Sequence, residues 1–413
     1  MASIDLTTLG DALKPLLKQE NFEVSVYRNN PLLGMLPKST DFVGSEEWVV
    51  LQYGDPAARS ATASTAITNS ASAQIAVEKF VVTRALNYYV AAISGEVLAA
   101  ADGKMGSFLS AAKATFDGGI RQITNDIACS LFTGGYGVRG NINATVSGTT
   151  LTLLNIAAIS NFEKGMSIVF SESEAGHTLR DSGEALTVTA IDRELGTMTV
   201  SANLTSISGL ASGDFIFAEG DRQNSATPAR IKLAGLAAWV PVAAPASTSF
   251  FGVDRTVDAT RLGGCRYSAN GAPIKEALVT AASKVDRQGA GMVDTFVVSP
   301  TVWAQLANQL GTQVRYDMVK ANSKAAISFE SIIVNGPGGK INVISDRNCP
   351  DAYGWGLDLN TWELASMGPL VHVVEDDGNK MIRQSTADGV EVRMRSMSNL
   401  FCRKPAANIA VTF

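Results

Sequence analysis

Histidine is almost missing from this chain: His177 and His372 are the only two in 413 residues. A Ser-His-Asp triad or a His-based metal centre has almost no material to draw on, and His177 in a polar turn and His372 in an apolar strand read as structural. The four cysteines, Cys129, Cys265, Cys349 and Cys402, are dispersed and never spaced C-x-x-C, which excludes a zinc ribbon or redox pair and leaves reduced structural thiols. No apolar run approaches the roughly 20 residues of a membrane span. The opening Met1-Ala2-Ser3-Ile4-Asp5 lacks the basic and then apolar stretch of a secretion signal, so the expectation is synthesis in the cytoplasm with no membrane partner. Positive charge is not in surplus either. With 34 Lys and Arg against 39 Asp and Glu, the net charge is -5, too acidic for a broad phosphate-gripping surface, and any nucleic-acid contact should be weak and without sequence specificity. Aromatic residues make up 7%, beside 37 glycines and 13 prolines, a balance that suits loop-rich β structure better than a helical bundle.

What remains is ample for a core: 46% of residues are hydrophobic, enough for two or three folding units. Leu6, Leu9, Leu13, Leu16 and Leu17 carry the spacing of a short amphipathic helix, and residues 1–45 read as an arm whose apolar stripe needs a partner elsewhere. Glu46 to Tyr53 and Ile75 to Val90 read as strands. Between them, Ala57 to Ala73 is nearly all Ala, Ser and Thr, so residues 46–94 read as a hairpin about 60 Å long with a mobile tip. Such a finger needs a surface to lie on. Within residues 95–141, Phe108, Ala112, Phe116, Ile120, Ile123, Ile127 and Leu131 predict a helix from Ser107 to Leu131. The pair Gly118 and Gly119 weakens its middle, which marks either a hinge or a site of close packing.

From 142 to 221 the texture changes to short β runs at Thr150 to Leu154, Ser167 to Phe170, Leu186 to Ile191, Met198 to Val200 and Phe215 to Phe217. Their spacing predicts an inserted all-β sandwich or barrel. Residues 222–413 return to an α+β pattern, with helices at Ile274 to Val285 and from Pro300, and strands at 295–299, 331–335, 340–345, 353–359, 371–375, 390–395 and 409–413.

Several motifs imitate chemistry. Gly336-Pro337-Gly338-Gly339-Lys340 lacks the spacing of a phosphate loop and reads as a β-turn. Asp376-Asp377-Gly378 lacks the later oxygen ligands of a calcium loop. Asn143-Ala144-Thr145 and Asn203-Leu204-Thr205 match a glycosylation acceptor but have no secretion signal to make it relevant. The carboxylate pairs Glu46-Glu47 and Glu172 with Glu174 fall where no pocket is predictable. No catalytic, cofactor or metal residue is assigned. The aromatic and Arg-containing stretch with Trp239, Phe250, Phe251, Asp254, Arg255 and Arg261 reads as an exposed loop that anchors contacts between subunits.

Arm, hairpin, long helix, β insertion and α+β body follow one another in an order that resembles the major capsid proteins of tailed phages, the Hong Kong 97-type fold. The resemblance is carried by Phe251-Gly252-Val253-Asp254-Arg255 after Trp239-Val240-Pro241, by Asp346-Arg347-Asn348-Cys349-Pro350, by Gly354-Trp355-Gly356-Leu357-Asp358, and by Asn399-Leu400-Phe401-Cys402-Arg403-Lys404-Pro405. It implies an extended loop that overlaps a neighbour, a spine helix in a peripheral domain, and an axial domain. It also implies hexamers and pentamers that form an icosahedral shell around double-stranded DNA in the virion. A separate scaffold protein, a portal and an optional decoration protein would be the partners. The alternatives are an encapsulin-like compartment shell, a tail or adhesin protein, and, with so few nucleophiles and bases, least of all an enzyme.

Overall fold

In the computed structural model, the residues described are 30–72, 74–95, 105–143, 148–175, 178–222, 230–311, 316–320, 328–375, 382–384 and 388–413. The expected arm helix over Leu6 to Leu17, His177, and the turn Asp376-Asp377-Gly378 lie outside them. So does the N-x-T site at Asn143 beyond its first residue.

Hydrophobic periodicity produces the longest helix, Met105–Ser130, 26 residues and about 39 Å at 1.5 Å per residue. Ile120, Ile123 and Ile127 are buried along one stripe, packed on the strand Ala85–Ser94. That strand is one side of a sheet organised by Gly389–Cys402. On its other side Gly389–Cys402 pairs in turn with Trp362–Ser366, His372–Val373 and Ile382–Arg383. Lys38–Ser39 adds a short parallel strand beyond Trp362–Ser366.

The hairpin differs from expectation. Glu46–Gly54 pairs with Ala76–Thr83 alone, and at Arg84 the chain leaves this ribbon, so that Ala85–Ser94 joins the larger sheet instead. The paired part is therefore about nine residues, roughly 30 Å long, not 60 Å. The Ala, Ser and Thr stretch is no featureless tip, because Ala63–Ser72 forms a helix there, consistent with the high helix propensity of alanine.

Six strands between residues 138 and 218 form a sheet of their own, in the order Val138–Asn141, Phe215–Ala218, Ser167–Ser171, Leu186–Asp192, Thr197–Val200, Thr150–Thr152. All neighbours are antiparallel. They enclose a separate core that includes Ile142, Phe162, Phe170, Leu204 and Ile216.

The remaining sheet has seven strands in the order Cys265–Ser268, Ile409–Thr412, Tyr353–Leu357, Thr295–Val298, Gly339–Ser345, Ser328–Gly336, Tyr316–Lys320. Two helices cover it, Ile274–Lys284 and Pro300–Leu310. The second starts where Ser299 caps the Val302 amide and Pro300 fills the first turn. Alternation along Thr295–Val298 serves two cores at once. Phe296 and Val298 pack with Leu278 and Leu306, while Val297 packs with Trp355 and Trp239 in the main core. The three buried tryptophans there each satisfy their indole N–H. Trp239 donates to the Leu400 carbonyl at 2.8 Å, Trp355 to that of Val240 at 3.1 Å, and Trp362 to Asn408 Oδ1 at 2.8 Å.

Candidate assembly surfaces and the charge cluster

Alternation in the hairpin ribbon divides it into two faces. On the inner face Leu51, Phe80 and Val82 are buried and Val49 packs beside them. Phe80 sits 5.3 Å from the Trp239 ring and 6.0 Å from Phe250, and the Val81 amide donates to the Phe251 carbonyl at 2.8 Å. On the outer face Trp48 is 63% exposed, Val50 65% and Val77 48%, with the Lys79 ammonium 4.0 Å above the Trp48 ring. Ile67 in the tip helix and Ile75 beside it are exposed as well. Leu86, Tyr88 and Val90 extend this apolar character along Ala85–Ser94. Large side chains in such a row lose about 1.5–3 kcal/mol each by standing in water.

The aromatic stretch read as an exposed loop is largely interior, which corrects that expectation. Trp239, Phe250 and Arg255 are buried within the subunit, because Phe250 and Trp239 wedge the hairpin base against the body. Arg255 donates to the carbonyls of Ala238 and Trp239 at 2.7 and 3.2 Å and lies 4.0 Å over the Phe250 ring. Burial, helped by the nearby cations Arg230 and Arg266, pushes its guanidinium down to about 10. Phe251, half-buried, lies against Phe250 with ring centroids 4.6 Å apart and the planes tilted by 53°. Asp254 and Arg261 alone of the six are exposed. Asp254 accepts from the Thr256 amide and hydroxyl, which hold its carboxyl below the ordinary value. Arg261 donates to the Tyr53 carbonyl at the end of the hairpin strand.

The two helix glycines have different surroundings. A Cβ on Gly118 would meet nothing within 4 Å, whereas one on Gly119 would lie 2.5 Å from Cε1 of Tyr89. Gly119 is thus explained by a ring packed against the helix, and Gly118 keeps the hinge reading.

Sequence reasoning missed a buried cluster of four charges. Asp126 on the long helix pairs with Arg139 and, at 3.0 Å, with Lys232. Asp221 pairs with Arg139 at 2.9 Å and with Lys232 at 2.8 Å. Burial pushes the Asp126 carboxyl up, but Arg139 and Lys232 outweigh it and hold it below the usual range. Lys232 is the mirror case: burial pulls its ammonium down and the two aspartates, outweighing that, raise it. Asn87 on the strand Ala85–Ser94 donates its carboxamide N–H to Asp126. The cluster lies at the edge of a cleft of about 530 Å³ that Gly118 and Tyr89 also line. It ties the helix to both ends of the six-stranded unit, since Arg139 is on that unit's first strand and Asp221 follows its last. For Asp126 alone a local signal existed, because it interrupts the apolar Ile123 and Ile127 stripe; its partners had none.

Among the described residues, no group of three His, Cys, Asp or Glu side chains is placed to hold a metal, and no helix is long and apolar enough to cross a membrane. His372 accepts from Arg395 Nε at 2.6 Å, and all four cysteines are buried.

A ribbon standing off a sheet that a long helix crosses, joined to a second sheet under two helices, is the arrangement of the Hong Kong 97-type fold. Residues 213–393 match the family model described as SU10 major capsid protein. Among solved structures, the cyanophage A-1(L) capsid subunit shares the fold at a TM-score of 0.50 and 10% identity, covering 93% of each chain. The capsid of a GTA particle aligns at 0.44 and 11% identity over 93% of this chain and 96% of that one. The SrpI encapsulin of Synechococcus elongatus PCC 7942 aligns at 0.43 and 9% over 94% and 88%. Among curated proteins none matches in sequence. Residues 213–393 thus resemble a phage major capsid protein family, and the chain as a whole shares the capsid-subunit fold.

Proposed function

We propose that copies of this chain assemble into hexamers and pentamers that close an icosahedral head shell around double-stranded DNA, with the hairpin carrying one copy onto the next. The observation behind this is the outer face of the ribbon: Trp48, Val50 and Val77 are exposed in a row while the opposite face is anchored in the subunit core. A two-stranded ribbon is stable in water only when its apolar face is covered. In this reading residues 142–221 are a unit inserted into the peripheral part, fastened by the charge cluster at its two ends. The chain is made in the host cytoplasm and works with a separate scaffold protein, a portal and an optional decoration protein. Contact with the packaged DNA is weak, given a net charge of -5.

Deleting residues 57–73 tests the reading. The free subunit should melt as the parent does, because the deleted part lies beyond the anchored strands, while negative-stain microscopy should show shells lost or weakened. Equal destabilisation of subunit and particle would place the tip in the subunit core. Double-stranded DNA inside purified particles supports the head-shell reading, and a packaged protein cargo in its place would favour a compartment shell.

A further inference from the structure

Asn30, the first described residue, is fully buried, and its Oδ1 accepts from Asn348 Nδ2 at 3.2 Å. The Leu32 amide donates to Asp346 Oδ2 at 3.3 Å, so this part of the chain is held on the segment that follows Ser345. That segment, through Asn348 and Tyr353, is one wall of a second cleft, of about 400 Å³. The end of the long helix contributes Cys129 and Phe132, and the six-stranded unit contributes Leu154. Of the charge cluster only Arg139 reaches this cleft. At its rim an apolar patch stands in water, with Leu154 62% exposed, Ile156 53% and Leu195 64%. The patch gathers at Gly196, whose carbonyl accepts from the Leu153 amide at 3.0 Å and whose added Cβ would stand 3.0 Å from the Ile156 Cα.

The sequence just before Asn30 has the pattern to cover such a surface. Phe22, Val24 and Val26 alternate with Glu23 and Ser25, the period of an extended segment with one apolar face. Val26 precedes Asn30 by four residues and Phe22 by eight, a reach of about 13 and 26 Å in extended chain. Charge fits as well: Arg347, an exposed cation on the cleft wall, donates to the neutral carboxamide of Asn125, while residues 19–27 carry Glu20 and Glu23 and no cation. We propose that residues 22–26 lie in this cleft of their own subunit, with Phe22, Val24 and Val26 against Phe132 and Leu154 and with Glu23 turned outward to Arg347. The segment then spans from the body to the six-stranded unit and fastens that unit at a second place, apart from the charge cluster. The inference concerns the single subunit and stands whether or not the assembly reading holds.

Disulfide trapping in the dissociated full-length subunit tests the placement. Under mild oxidation, Val24→Cys combined with Leu154→Cys should close an intrachain disulfide at least tenfold faster than Val24→Cys combined with Val257→Cys, whose second site is exposed and outside the cleft. Peptide mapping should join positions 24 and 154, since the four native cysteines are buried. Equal rates for the two pairs overturn the proposal, and so does a disulfide that joins two copies, which assigns the cleft to a neighbour's segment. If the cysteine variants fail to fold, hydrogen exchange of the parent subunit decides. The amides of residues 22–26 should exchange at least tenfold more slowly than in a free peptide of residues 18–29, and Leu154→Asp at the exposed rim should remove most of that protection. Exchange at the rate of the free peptide, or protection that Leu154→Asp leaves unchanged, overturns the proposal.

Discussion

Alanine at Gly118 and alanine at Gly119 should have opposite effects on stability, although the two positions are neighbours on one helix. In a helix interior, alanine is favoured over glycine by about 1 kcal/mol, and that gain is common to both. At Gly118 nothing opposes it, since the new methyl group meets open space, so Gly118→Ala should stabilise the free subunit by about 0.5–1 kcal/mol. At Gly119 the methyl group would stand 2.5 Å from Cε1 and 2.8 Å from Cδ1 of Tyr89, so the ring must move by about 1 Å. Overpacking of this kind costs about 1–3 kcal/mol, which leaves Gly119→Ala neutral to about 2 kcal/mol destabilising. The difference between the variants cancels propensity and isolates the contact. Chemical denaturation of the dissociated subunit reads it directly, and adding Tyr89→Ala should remove most of the Gly119→Ala penalty. Two alanine variants equal within about 0.5 kcal/mol would refute the packing argument. Shells of the fold this chain resembles are first built as rounded precursors that then expand, and the same Gly118→Ala variant tests the hinge there, because a stiffer helix should slow that expansion without hindering assembly. Expansion at the parental rate would remove that role.

Trp239→Ala should destabilise the free subunit by about 3–5 kcal/mol, measured by denaturant melting; a stable subunit that only fails to assemble would return this residue to the interface. Trp48→Ser combined with Val50→Thr should do the reverse, leaving subunit stability within about 0.5 kcal/mol while light scattering shows assembly impaired. Arg139→Met leaves a buried carboxylate without its main partner and should cost about 3–5 kcal/mol, seen as a lower denaturation midpoint. Asp294 supplies a pH dependence, because burial, joined by the charge of Asp358, pushes its carboxyl up to about 6 from an ordinary 3.8. Between about pH 4 and pH 6 the folded chain holds a proton that the unfolded chain has released, so stability falls as pH rises through that window. The full shift corresponds to about 3 kcal/mol, and partial exposure reduces it to about 1–2 kcal/mol. Asp294→Asn should flatten this part of the stability curve, and an unchanged slope would contradict the assignment.

Elements with a strong period were legible from residues alone. The long helix and Ile274–Lys284 announce themselves by apolar spacing, and the short strands between 150 and 218 by turn residues at regular intervals. Gly389–Cys402 was legible only in part, since alternation holds to Arg395 and then gives way to residues buried on both faces, where a period of two disappears. The stretch around Phe250 was misread for a related reason. Gly252 and Asp254 make it look like surface, but Phe80 and Leu400, 170 and 150 residues away by number, cover its rings and the Trp239 indole. The charge cluster draws on Asp126, Arg139, Asp221 and Lys232, whose meeting depends on how two sheets and a helix close around one another. No local pattern encodes that.

The strand Ile409–Thr412 lies between Cys265–Ser268 and Tyr353–Leu357, parallel to the first and antiparallel to the second. As the ribosome proceeds, Cys265–Ser268 emerges without its link to the rest of that sheet, because residues 409–412 lie between it and Tyr353–Leu357. Every nascent subunit therefore carries an open sheet until those residues appear, and pairing of this kind across long sequence separations is slow. An unfinished chain has no completed body against which a neighbour can build. Partly made chains that lack this strand leave two strand edges unpaired, and unpaired edges of this kind are prone to aggregation.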